Sequence, residues 1–381
     1  MTRKFKGVLS LVLTMMMAVS LATASLAETA GMSGEDAKAK CADADVPKLV
    51  FLYTGYCGWY NPPYTDENAI YKPYTKAQLD KLGNANGFVL CHAQASFQNY
   101  DTKYIPYMID TLKTILSSKP DAKVWLSTPA TNFYISELGH QVQDIPSQEQ
   151  YRAYLDDIKS AIINDSQLGK GVWRNNVAGM YYIDEDAFPI ARDNPAEQTF
   201  LCDAVDGVPR YFTGHWQEYE SPLGFVREMG KTTNRYGLKF LWSPLLDMAA
   251  YGTRIQQLFD ADVFDYIIIQ PSYYFWYNDI TGLQRLHDYI TGQSIDNITS
   301  NKTQLGLQME VDENATTSST SQTKYNATVD CFKDIAGNYV CSYYAGASPV
   351  LDYDAVATSV NNFYNESADA ASCHITTPIA E

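Results

Sequence analysis

The chain has 381 residues, of which 46% are hydrophobic and 19% charged, and its formal net charge is −16 at pH 7. This length suffices for one large α/β domain or two smaller ones. The acidic excess repels phosphate backbones, so nucleic acid is not expected as a partner.

The first 27 residues have the pattern of a secretory signal peptide. Arg3, Lys4 and Lys6 form a basic start, residues 8–21 are an apolar run, and small residues lead to a cleavage site after Ala27. A retained membrane anchor is the alternative, but the run is short for a membrane span. Removing these three basic residues leaves 25 Lys+Arg against 44 Asp+Glu, a net charge of −19. We therefore expect a secreted, extracellular protein without stable membrane insertion after cleavage.

Seven cysteines are few for a disulfide scaffold in an exported chain of this size. Cys331 and Cys341 flank a short segment and are the pair expected to form a disulfide, and Cys41 and Cys57 could form a second one. Cys91 lies in a strand pattern and is expected to be a buried thiol. There is no C-x-x-C motif and no Cys/His metal spacing, so no metal is expected.

Residues 28–47 are small and polar and predict a flexible leader, and one alternating pattern then fills residues 48–381. Eight short apolar runs are each followed by a loop and then a helix-like amphipathic stretch. The runs lie at 49–53, 87–94, 123–128, 177–185, 238–244, 265–270, 304–310 and 339–345, and the helical stretches around 75–83, 104–118, 147–163, 216–236, 252–259, 280–291 and 353–364. Eight alternating units predict an α/β fold, a single-domain (β/α)8 TIM barrel. A doubly wound sheet also alternates, but the chain lacks a Gly-rich phosphate turn.

Two segments are interpreted as long loops of this barrel. Residues 186–215 follow strand four, and the Ser/Thr-rich residues 312–330 follow strand seven. Loops after barrel strands lie on the catalytic face, so both are placed to shape a cleft. The alternative is that they are tolerated surface insertions.

Strand seven ends in a carboxylate, Glu310. By period-two alternation, Gln308 and Glu310 share one face, and Leu307 and Met309 the other. The apolar face should pack against helices, so the polar face should point into the barrel with Glu310 at its mouth. A carboxylate there must be solvated, paired or used, and a structural salt bridge is the alternative to a catalytic role.

Strand four runs into three acids, Asp184, Glu185 and Asp186, within the segment VAGMYYIDEDAF at 177–188. These acids could also be a solvated loop or a helix cap. Glu185 shares a face with Gly179, which suits a crowded interior, so Glu185 is preferred at the mouth, and Asp184 is the second choice.

This arrangement, with one carboxylate after strand four and one after strand seven, resembles that of the large TIM-barrel clan of retaining glycoside hydrolases. The resemblance implies that Glu185 is the acid/base and Glu310 the nucleophile, with no cofactor. Polar and aromatic residues at neighbouring strand ends are candidates for binding a polysaccharide or oligosaccharide, because aromatic faces stack on the C–H faces of sugars. These candidates are Tyr53, His92, Gln94, Asp184, Trp242, Gln270, Tyr273 and Tyr344. The chain has no G-x-S-x-G or H-E-x-x-H motif, which argues against a serine esterase and a zinc protease.

Four segments in the second half of the chain carry a family resemblance: LWSPLLDMAAYG at 241–252, FDADVFDYIIIQPSYYFW at 259–276, LGLQMEVDE at 305–313 and SYYAG at 342–346. They resemble a family of secreted bacterial barrels known as domain of unknown function 4855, which is glycoside-hydrolase-like. The chain departs from the family pattern at Gln308, where a Glu is expected, and from the clan at Asp184, where an Asn precedes the acid/base. The competing interpretation is a barrel that binds glycans without cleaving them, or a cell-surface interaction module.

Overall fold

The computed structural model describes residues 46–57, 69–92, 95–135, 141–184, 191–194, 199–202, 210–215, 218–219, 222–244, 263–275, 280–292, 303–344 and 350–377. At 132–135, 141–143, 191–194, 199–202, 210–213 and 222–223 only the backbone is described. The expected signal peptide and nearly all of the leader lie outside these ranges.

Thirteen strands are formed by the described residues: β1 (Lys48–Tyr53), β2 (Gly87–Cys91), β3 (Lys123–Ser127), β4 (Asn132–Ile135), β5 (Gln141–Ile145), β6 (Val177–Tyr182), β7 (Ala191–Asn194), β8 (Thr199–Cys202), β9 (Arg210–Gly214), β10 (Lys239–Trp242), β11 (Tyr266–Ile269), β12 (Gln304–Glu310) and β13 (Val340–Tyr344). Eight of them close into a parallel barrel in the order β1-β2-β3-β6-β10-β11-β12-β13. They coincide with the eight apolar runs, which confirms the predicted (β/α)8 barrel.

The described helices are α1 (Lys76–Asp80), α2 (Tyr100–Lys103), α3 (Ile105–Ser118), α4 (Gln148–Asn164), α5 (Gly169–Asn175), α6 (Pro222–Arg235), α7 (Thr281–Ile290), α8 (Asn314–Thr317), α9 (Ser319–Phe332), α10 (Asp354–Tyr364) and α11 (Ala370–Cys373). Six of the seven predicted helical stretches correspond to helices in this set, and the stretch at 252–259 lies outside the described residues. Within the described part of the chain, no helix combines the length and apolarity that crossing a membrane requires.

Two apolar clusters divide the core, one inside the barrel and one between barrel and helices. Trp125 of β3 fills the inside of the barrel and lies beside a glycine on each adjacent strand, where backbone and other side chains also approach closely. A Cβ on Gly179 of β6 would lie 2.7 Å from the Trp125 indole, and one on Gly87 of β2 would lie 3.1 Å from it. These close approaches explain why two strand positions carry no side chain.

The insert after strand four builds a second sheet instead of a plain loop. Its strands β7, β8 and β9 join β4 and β5, which follow barrel strand three, in the order β4-β5-β9-β8-β7. All pairs are antiparallel except β5–β9. The β4–β5 hairpin did not stand out in the sequence pattern.

The prediction of a long loop at 312–330 is wrong, because this segment folds as α8 and α9. Tyr325 and Val329 of α9 are buried against the barrel. The Ser318 side chain caps the helix, and the hydroxyls of Thr323 and Thr328 donate to carbonyls one turn earlier. The hydroxyl-rich composition that suggested a loop is therefore accommodated by local hydrogen bonds within a helix.

The predicted Cys331–Cys341 disulfide is also wrong. Both residues carry free thiols, and Cys373 does as well. Cys341 is fully buried in β13, whereas Cys331 lies half-buried on α9, with a 3₁₀ turn at Lys333–Ile335 between them. Burial raises the pKa of Cys331 to about 11 and that of Cys341 to about 12. The suggested Cys41–Cys57 pair includes Cys41, which lies outside the described residues.

Candidate functional site

Glu310 ends β12 with its carboxyl group buried at the mouth of the barrel. The alternation along β12 is as predicted, because Leu305, Leu307 and Met309 pack in the cluster that faces the helices. Glu310 is 2% exposed, and its Oε1 accepts a hydrogen bond from the backbone N–H of Ser272 at 3.2 Å. A backbone N–H directed at a carboxylate stabilises the ionised form of that carboxylate.

A polar layer lies next to Glu310 inside the barrel. The Ser243 Oγ is 2.8 Å from the Ile268 carbonyl oxygen and 2.9 Å from Oε1 of Gln308. The predicted binding residue Gln270 belongs to this layer, and its Nε2 donates to the Ser243 carbonyl oxygen at 2.9 Å. These hydrogen bonds between buried polar groups join the carboxyl ends of β10, β11 and β12.

The turn after β11 contacts Glu310 through its backbone. Ser272 has a φ of +55°, and Tyr274 Oη donates to Asp312 Oδ1 at 2.5 Å. Burial, with the Asp312 carboxylate, raises the pKa of Tyr274 far above its usual range, so its hydroxyl remains a donor. Tyr273, a predicted sugar-binding residue, is instead 9% exposed and packs in the cluster between the barrel and the helices, with its ring centroid 5.6 Å from Lys324 Nζ. The contribution of Ser272 was missed, because a backbone N–H leaves no signal in residue type.

Aromatic rings line the mouth beside Glu310. Tyr344 is the register partner of Glu310 on β13, and its ring lies 5.8 Å from Tyr53 and 5.8 Å from Phe275, edge to face with both. Tyr53 also contacts Tyr71, at 5.0 Å between ring centroids. The structure thus brings the predicted residues Tyr53 and Tyr344 together and adds Phe275 and Tyr71. We call these four rings the aromatic rim.

The acidic end of strand four is described as far as Asp184, and Glu185 lies outside the described residues. Asp184 Oδ2 accepts from Thr131 Oγ1 at 3.0 Å and from Tyr182 Oη at 2.9 Å. Tyr181 and Ile183 belong to the cluster inside the barrel, whereas Tyr182 belongs to the helix-side cluster. The strand alternation therefore places Asp184 in the set opposite to the inward residues.

Two predicted sugar ligands are structural residues instead. His92 is buried, with Nδ1 accepting from Ala95 N–H at 3.2 Å and Nε2 donating to the Thr128 carbonyl oxygen at 2.9 Å, so neither ring nitrogen is available to a sugar. Burial lowers the pKa of His92 to about 4. Trp242 is fully buried, stacks on Phe264 and donates its indole N–H to the Asp184 carbonyl oxygen at 2.8 Å. Both side chains face the helices because strand alternation turns them away from the barrel axis. Gln94 lies outside the described residues.

Metal-ligating side chains do not cluster in the described ranges: no group of three or more His, Cys, Asp or Glu there could hold an ion.

No known protein family and no curated protein sequence matches the chain. Among solved structures, a chitinase from Ipomoea carnea is 14% identical over 80% of this chain and 96% of its own, with a TM-score of 0.41. A GH5_18 protein from Streptomyces cattleya in complex with Manβ1-4GlcNAc is 11% identical over 79% and 71%, with a TM-score of 0.43. A chitinase from Chromobacterium violaceum is 11% identical over 84% and 98%, with a TM-score of 0.40. The resemblance to domain of unknown function 4855 stays a prediction.

Proposed function

We propose that this protein is a secreted, carbohydrate-active barrel that hydrolyses glycosidic bonds with retention of configuration. Glu310 is the nucleophile and Glu185 the acid/base. The observation that carries the proposal is the Glu310 carboxyl group, buried at the carboxyl end of a barrel strand and held by a backbone N–H. Active sites of TIM barrels are built at this end of the strands.

The reaction needs two carboxyl groups and no cofactor. The Glu310 carboxylate attacks the anomeric carbon while Glu185 gives its proton to the departing oxygen, which breaks the glycosidic bond and leaves a covalent glycosyl-enzyme. Glu185 then takes a proton from water, whose oxygen attacks the same carbon and releases Glu310. The enzyme ends with Glu310 ionised and Glu185 protonated, as it began.

Support for Glu185 comes from the sequence spacing just past the end of β6. Tyr181 belongs to the cluster inside the barrel, Ile183 packs against that cluster, and Glu185 follows Ile183 by two residues along the chain. The aromatic rim supports a sugar substrate, because rings beside the carboxylate can stack on pyranose C–H faces.

A panel of polysaccharides and oligosaccharides tests the proposal. We expect the wild type to release sugars from at least one of them and Glu310→Gln to lose at least about 10³-fold in kcat, because the amide is a poor nucleophile. Glu149→Gln, on the exposed first turn of α4, is the matched control and should retain wild-type rates. NMR of the first-formed product should show the anomer of the substrate, and the opposite anomer would rule out retention.

The second candidate is a glycan-binding module, and the aromatic rim favours it, since rings bind sugars without any carboxylate chemistry. Binding of a glycan by wild type and Glu310→Gln alike, with no turnover by either, would establish this alternative over hydrolysis.

A further inference from the structure

Ser272 combines two unfavourable features in one buried residue. Among the described residues it is the only non-glycine with positive φ, at +55°. Its hydroxyl is fully buried and has no hydrogen-bond partner in the described part of the chain. Left-handed backbone at a side-chain-bearing residue is strained, and an unsatisfied buried hydroxyl adds a desolvation penalty. Such strain persists only where the surroundings enforce it.

The turn that contains Ser272 is fixed from both sides. On one side, Gln270 Nε2 donates to the Ser243 carbonyl oxygen at 2.9 Å. On the other, Tyr274 Oη donates to Asp312 Oδ1 at 2.5 Å. Asp312 is itself held by the backbone N–H and the side-chain amide of Asn314, at 2.9 and 2.8 Å. Hydrogen bonds therefore hold the turn to the ends of β10 and β12, and the strained residue, Ser272, lies between these two attachments.

We propose that Ser272 is a positioning residue, and that the turn at 270–274 is a strained clamp that fixes the orientation of the Glu310 carboxylate. This inference rests on the proposed function, in which Glu310 attacks the sugar. The backbone N–H of Ser272 binds Oε1 of Glu310 and so sets the direction of the carboxylate plane. Fixing a nucleophile before the substrate arrives lowers the cost of reaching the transition state.

The clamp predicts that stability and activity respond in opposite directions at Ser272. Glycine tolerates positive φ and has no hydroxyl to leave unsatisfied, so Ser272→Gly relieves both penalties. The same change widens the range of backbone angles, so the N–H is held less firmly against Glu310. A residue with a purely structural role would lose stability and activity together.

The first experiment measures Ser272→Gly and Ser272→Ala in the full-length protein. We expect Ser272→Gly to raise the melting temperature by about 1–3 °C and to lower kcat several-fold, with KM unchanged. Ser272→Ala keeps the Cβ and the N–H and should therefore lose less of its kcat than Ser272→Gly does. If Ser272→Gly keeps wild-type kcat, or Ser272→Ala loses as much as Ser272→Gly, the backbone clamp is wrong.

The second experiment releases the clamp at Tyr274. Tyr274→Phe removes the bond to Asp312 and should lower kcat on the order of tenfold, with the acidic limb of the pH–rate profile displaced to higher pH, because the ionised nucleophile loses stabilisation. Tyr236→Phe is the matched control, since Tyr236 Oη also donates to an aspartate, Asp156, at 2.8 Å on the helical layer. Equal kcat and pH profiles for the two variants would overturn the clamp while wild-type turnover upholds the proposed function. If the wild type hydrolyses none of the glycans, both the clamp and the proposed function are wrong.

Discussion

Glu310 and Tyr344 are register partners at the carboxyl ends of two adjacent parallel strands of the barrel. The backbone N–H of Val311 donates to the Tyr344 carbonyl oxygen at 3.0 Å, which extends the pairing of β12 and β13 past both residues. Side chains in register on neighbouring strands share one face of a sheet, so the buried carboxylate and the tyrosine ring belong to one surface at the mouth. A group that reacts at Glu310 would then extend over Tyr344.

The first prediction concerns that ring. Tyr344→Ala removes its edge-to-face contacts with Tyr53 and Phe275 and should weaken glycan binding about tenfold, the equivalent of about 1.4 kcal/mol, while kcat changes little. Tyr344→Phe keeps the ring and should bind within about twofold of wild type. Calorimetric titration of a bound oligosaccharide measures both variants. Unchanged affinity in Tyr344→Ala would exclude the aromatic rim as a sugar-binding surface.

The second prediction concerns His92 and acid. Burial lowers its pKa from 6.5 to about 4, so the unfolded chain binds more protons than the folded chain between these values. The contribution of neutral His92 to the free energy of unfolding is therefore fully present above pH 6.5. It falls as the pH drops towards 4, by roughly 2–3 kcal/mol between pH 7.5 and 4.5. His92→Gln cannot titrate, so its free energy of unfolding should lose that much less than wild type over the same interval. Urea unfolding at both pH values measures the difference, and equal losses would contradict the assignment.

The barrel could be predicted because period-two alternation and apolar runs are properties of single strands. The inward face of β12, with Gln308 and Glu310, follows from that pattern alone. The same rule, applied at the end of strand two, would have turned His92 towards the helices together with Leu90. The prediction that His92 and Trp242 bind sugar rests on their side-chain chemistry and does not take this alternation into account.

The remaining features depend on backbone geometry that residue types do not encode. The hydrogen bond to Glu310 comes from the N–H of Ser272, a group that every residue except proline possesses. The prediction of a loop at 312–330 is wrong because Ser and Thr hydroxyls can form their hydrogen bonds inside a helix. Burial of Tyr325 and Val329 then favours the helix.

The third prediction concerns the thiols of Cys331 and Cys341. Burial raises the pKa of both, to about 11 and 12, so at pH 8 the folded protein should react slowly with iodoacetamide at these positions. After unfolding in guanidinium without a reductant, both should be alkylated completely. Peptide mass spectrometry reads out each site, and recovery of a peptide that links Cys331 to Cys341 would show that they pair after all.

The fourth prediction tests the packing inside the barrel. An alanine Cβ at Gly179 would lie 2.4 Å from the Lys239 carbonyl oxygen and 2.7 Å from the Trp125 ring, so a β-strand backbone would have to move. We expect Gly179→Ala to lower the free energy of unfolding by about 3 kcal/mol. Gly171→Ala is the matched control, because nothing lies within 4 Å of its Cβ and it sits within α5, where alanine should stabilise by about 0.4–1 kcal/mol. Equilibrium urea unfolding distinguishes the two, and a Gly179→Ala variant as stable as wild type would mean that the β10 backbone and Trp125 do not pack against Gly179 as described.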